Sequence, residues 1–80
     1  MIFVTKMDII PGKSEEAVKL VKTVTPPGEI KIINFYQMFG KPDFYLIFNA
    51  PDEDMAIDFV MNYQTALETS TSLGVPVDEI

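Results

Sequence analysis

Five side chains in this 80-residue chain have the types and placement to meet a small molecule: Asn34, Tyr36, Asp43, Tyr45 and Tyr63. A tyrosine offers an aromatic wall with one polar tip, the combination that lines small-molecule pockets. Asn34 sits in an otherwise apolar run and could orient a ligand through its amide. Asp43, beside Pro42, could act as a general base at a pocket mouth. Each also has a simpler reading. The tyrosines pack, Asp43 bonds its own turn backbone, and Asn34 solvates a strand. The residue types that are missing narrow the chemistry further. The chain has no His and no Cys, and all six of its basic residues are lysines. It therefore lacks an imidazole acid–base group, a proximal haem ligand, a thiol nucleophile and a guanidinium clamp. No residue is assigned a catalytic role, and no metal or cofactor is expected.

Other clusters have plain explanations. Lys6 in an apolar strand reads as solvation or as protection of an edge. Met7, Met38, Met55 and Met61 share no tight spacing and read as core filling. Asp52, Glu53, Asp54 and Asp58 read as helix capping plus a wetted face. The four glycines lie singly and form no phosphate-binding loop.

These residues must be carried by short elements. Ile2 to Ile9 alternates as a strand, with Phe3, Thr5, Met7 and Ile9 on one face and Ile2, Val4, Lys6 and Asp8 on the other. Pro11-Gly12 breaks it. Ala17, Leu20, Val21 and Val24 then recur at helical spacing, with Ser14 as the expected N-cap. Thr25-Pro26-Pro27-Gly28 ends that helix. Glu29 to Phe39 reads as a second strand, where the Ile32-Ile33 pair predicts a bulge or two buried faces. Gly40-Lys41-Pro42-Asp43 is a turn, and Phe44 to Asn49 is a third strand completing a hairpin. Asp52 caps a second helix, whose apolar positions Ala56, Phe59, Val60, Tyr63 and Leu67 continue at helical spacing. Thr69 to Leu73 is a weaker, polar strand, and residues 74–80 form a tail.

The order βαββαβ predicts an α+β, ferredoxin-like fold: a four-stranded antiparallel sheet with both helices on one side. One domain covers 1–80, with its core at about 2–73. Phe44-Tyr45-Leu46-Ile47-Phe48 is apolar on both faces, and two helices cover only one. A second copy of the chain is the expected cover, making a homodimer through the sheet face. Net charge is −6, from 12 acidic and six basic residues. This opposes nucleic-acid and anionic-membrane binding. The N-terminus lacks the pattern of a signal peptide, and a cytoplasmic location is expected.

A βαββαβ chain with a sticky sheet face resembles the dimeric α/β-barrel superfamily. The stretch Phe35-Tyr36, Gly40, Asp43, an apolar strand and Ala50-Pro51-Asp52-Glu53 resembles its small GYD-type domains. The chain departs from the namesake tripeptide, with Gly40-Lys41-Pro42-Asp43 at that place. The resemblance implies a ligand site between sheet and helices or at the subunit interface. It also implies relatives ranging from cofactor-free monooxygenases and isomerases to effector-binding modules. The expected function is a homodimeric domain binding a small apolar or aromatic ligand without catalysis. The alternative is a cofactor-free monooxygenase or isomerase acting on a small aromatic or lactone-like substrate. A third possibility is docking of a different protein on the sheet face or edge.

Overall fold

The strands Ile2–Ile9 (β1), Lys31–Gln37 (β2), Phe44–Asn49 (β3) and Leu67–Gly74 (β4) form one antiparallel sheet in the order β2-β3-β1-β4. These coordinates come from a computed structural model that describes residues 1–80. The helices Ser14–Thr23 (α1) and Glu53–Met61 (α2) connect β1 to β2 and β3 to β4. This is the ferredoxin-like arrangement that the element order predicts.

Alternation decides which side chains meet the helices. Phe3, Thr5 and Met7 of β1 and Phe44, Leu46 and Phe48 of β3 are buried. They form one core with Ala17 of α1 and with Ala56, Phe59 and Val60 of α2; Leu20, Val21 and Val24 pack against it. Phe48 meets Phe3 in a stack with centroids 5.5 Å apart and Phe59 edge-on at 5.2 Å. Thr5, fully buried, bonds its hydroxyl to that of Thr71 at 2.8 Å, so the one polar core residue of β1 is satisfied.

The expected bulge falls at Ile33. Ile32 pairs with Phe48 and Asn34 with Ile47, leaving Ile33 as the extra residue. The inserted residue shifts the alternation by one. Phe35 is thereby turned toward the helices and Tyr36 away from them. There Phe35 meets Phe44 and Tyr63 edge-on.

Three local expectations are corrected. Ser14 is not the cap of α1: Lys13 holds that position without a side-chain bond, and Ser14 is the first helical residue. Leu67 is buried as its spacing predicted, but it begins β4 instead of extending α2, which ends at Met61. A strand residue two turns beyond a helix can fill the same core position, so burial periodicity did not separate the two. The strand expected at Thr69 to Leu73 runs from Leu67 to Gly74, because all eight residues of β1 have partners there. Asp52 does cap α2, its carboxylate accepting from Met55 N at 2.9 Å. Gly40 adopts φ +107, a conformation open to glycine, at the hairpin tip.

Candidate functional site

The sheet face away from the helices is the largest feature that the fold leaves unexplained. Residues directly opposite in an antiparallel pair share a face, so the register lays this surface out in rows. Lys31, Asn49, Ile2 and Gly74 form the first, and Asn34, Ile47, Val4 and Ser72 the second. Tyr36, Tyr45, Lys6 and Ser70 form the third, and Asp8 and Glu68 close the far end. The centre, on β3 and β1, is apolar with phenol tips; the β4 margin is serine and glutamate. No helix covers it, and the C-terminal tail borders its first row, where Val75, Pro76 and Glu79 share an open cavity with Ile2 and Gly74. Tyr36 is 50% exposed and Ile33 48%, while Ile2, Val4, Tyr45 and Ile47 are half-buried by one another.

Of the five expected site residues, Tyr36, Tyr45 and Asn34 are brought together on this face. Tyr36 lies directly across from Tyr45, and Asn34 lies on the same strand and face as Tyr36. Tyr63 and Asp43 do not join them.

Tyr63 lies just past α2, fully buried beneath the opposite face of the sheet. Its ring meets Phe35 edge-on at 6.1 Å and Phe59 at 5.7 Å. Packing was the simpler reading, with the hydroxyl reaching a rim or a partner; instead the hydroxyl is buried with no hydrogen-bond partner. Burial pushes the phenol up from 10.0 to about 12.

Asp43 was read as a turn residue bonding its own backbone, or as a base at a pocket mouth. It does neither. Its carboxylate accepts the Ile9 N–H at 2.8 Å, beyond the last β1–β3 pair at Met7 and Phe44. The side chain thus takes a ladder bond that β3 does not extend far enough to supply. Asp43 N donates in turn to the Asp8 carboxylate at 3.2 Å. The Lys41 ammonium stands 3.2 Å from Asp43 and 3.6 Å from Asp8. The Ile9 bond, aided by Lys41, holds the Asp43 carboxyl below its ordinary 3.8, and the bond to Asp43 raises Lys41 above 10.5. This corner joins the hairpin to the end of β1. Asp8 escaped the sequence reading because its partners Asp43 and Lys41 are 35 and 33 residues away along the chain, with no local spacing to mark them.

Between sheet and helices the space is filled by Phe44, Phe48 and Phe59, all buried. An open groove of about 300 Å3 lies between β2 and the second half of α1, lined by Val21, Lys22, Phe35, Tyr36, Gln37 and Phe44. Tyr36 is its one expected site residue. No helix is long and apolar enough to cross a membrane. Compared with protein-family models, curated proteins and solved structures, the chain finds no match.

Proposed function

We propose that this chain is a homodimeric module of the dimeric α/β-barrel kind, close to its GYD-type domains. In this proposal it works in the cytoplasm and holds a small apolar or aromatic ligand without transforming it. The observation that carries the proposal is the helix-free sheet face, whose centre of Ile2, Val4, Tyr45 and Ile47 is apolar and uncovered. At ~25 cal/mol per Å2, covering ~500 Å2 of it per subunit is worth about 12 kcal/mol before association costs of roughly 4–15 kcal/mol. The largest apolar patch on a typical monomer is of about this size and is often a functional surface. A second copy presents the same surface and is always present at the same concentration. Tyr36, Tyr45 and Asn34 supply the polar tips that would orient a ligand at such an interface.

The geometry gives less support to a cofactor-free monooxygenase or isomerase. That chemistry calls for a tyrosine and a carboxylate sharing one pocket. The Asp43 carboxylate is engaged by Ile9 and Lys41. Tyr63 is sealed against Phe35 and Phe59, while Tyr36 and Tyr45 lie on the other side of the sheet.

Size-exclusion chromatography with light scattering tests the dimer. At micromolar concentration the expected mass is twice the 9.0 kDa of one chain. A steady mass near 9.0 kDa would end the proposal. Native mass spectrometry of the freshly purified dimer tests the ligand, through an added small-molecule mass that Tyr36→Ala and Tyr45→Ala remove.

A further inference from the structure

The open face carries unpaired charges at opposite corners. Lys31 sits on β2 in the first row, and Glu68 on β4 in the last. They are separated by roughly 14 Å across the strands and about 20 Å along them, from standard strand spacing and rise. Neither makes an ion pair within the chain, and Lys6, diagonal to Glu68 on the same face, makes none either. Glu68 is also directly opposite Asp8, a like-charge pairing that costs stability. Asp8 is compensated by Lys41 and by Asp43 N, whereas Glu68 has no cation of its own.

Two copies of one face meet about a two-fold axis lying between them. An axis along the strands sets Lys31 over Gly74, and an axis across them sets Glu68 over Gly74. Neither sets Lys31 against Glu68. The two diagonal axes give near-orthogonal sheet packing, one of the two stable sheet-on-sheet geometries. One diagonal superposes Lys31 on its own copy and Glu68 on its own copy, which is repulsive twice over. The other, perpendicular to the first, exchanges the two corners.

We infer that the faces pair about this second diagonal, with Lys31 of each subunit set against Glu68 of the other. The inference rests on the dimer proposed above and adds its register. That axis passes within about 2 Å of the positions of Val4 and Tyr45, diagonal neighbours at the centre of the face. Tyr45 then faces its own copy, with both copies of Tyr36 beside it. The aromatic part of the candidate ligand site is thereby composite, with both subunits contributing to it.

Charge reversal tests the register. Lys31→Glu alone sets four carboxylates at the two corners, and Glu68→Lys alone sets four ammonium groups there. Each single variant is expected to weaken the dimer by roughly ten-fold in a light-scattering dilution series, less at high salt. Two rescues are expected. The double variant K31E/E68K regains wild-type affinity to within about three-fold, and an equimolar mixture of the single variants forms a heterodimer in preference to either homodimer. Val4→Asp is the control, placing a charge on the axis and abolishing the dimer. A double variant as weak as the single ones, with Val4→Asp still disruptive, overturns the register and leaves the dimer standing. A wild-type chain that is monomeric throughout overturns both.

Discussion

The two faces of this sheet are built from the same strands by the same alternation, yet they end in opposite states. Toward the helices, Phe3, Met7, Leu46 and Phe48 are closed over by Ala17, Phe59 and Val60. Away from them, Val4, Tyr45 and Ile47 have only each other. Burial on the first face is intramolecular and fixed by the fold. In the proposed dimer, burial on the second would depend on a partner and hence on concentration. A chain of 80 residues buries too little to be strongly stable alone, so an apolar second face is a surface that selection has reason to keep covered.

The largest effect that can break this contrast comes from neighbours on opposite faces. Phe48→Ala is expected to cost about 3–5 kcal/mol, against a total of roughly 4–12 kcal/mol for a domain of this size. Ile47→Ala, measured on the monomer, is expected to cost less, under ~2 kcal/mol, because that side chain is only half-buried. Urea unfolding of both variants decides it; equal costs would mean that the open face is already structurally closed.

A smaller effect belongs to the corner where the hairpin meets β1. Asp43→Ala leaves the Ile9 N–H without its acceptor and is expected to cost about 1–2 kcal/mol at neutral pH. The carboxyl is held below 3.8 in the folded state. Its stabilisation is therefore fully present above that value and lost as pH falls through the lower folded one. Melting curves of wild type and variant should converge over that acid range. A gap that persists when Asp43 is protonated would assign the loss to packing instead of charge.

The smallest effect sharpens the picture of the covered face. Tyr63→Phe removes a buried hydroxyl that has no partner, and is expected to stabilise by about 1 kcal/mol, or roughly 4–8 °C in Tm. Burial raises the phenol from 10.0 to about 12, so the folded state keeps its proton longer than the unfolded chain. Stability is full below 10.0 and falls as pH rises through about 12. Tyrosinate absorbance should show a phase near 12 that Tyr63→Phe abolishes.

Much of the fold was legible because its signals are local. The two-residue period of β1, the helical spacing of Ala17 to Val24, the Asp52 cap and the Pro-Gly breaks each speak for their own segment. Even the bulge was announced, by two adjacent isoleucines where alternation allows one. The ends of elements were less legible. Leu67 fits a helix stripe and a strand start equally well, and only its pairing with Ile9 decides between them.

The candidate site was legible as a set of residue types and not as a place. Tyr36, Tyr45 and Tyr63 look alike in the sequence. Register and the Ile33 bulge put Tyr36 and Tyr45 on the open face, and the turn after α2 puts Tyr63 in the core. Asp43 looked like a turn residue and proved to be a tie between the hairpin and β1.

By itself the sequence determined the element order, the apolar surplus and the absence of imidazole, thiol and guanidinium chemistry, because these follow from composition and short-range periodicity. Only the tertiary structure decided which face each tyrosine joins, what Asp43 holds, and that Lys31 and Glu68 occupy opposite corners. Strand register is set by contacts between residues tens of positions apart, and no local pattern encodes it.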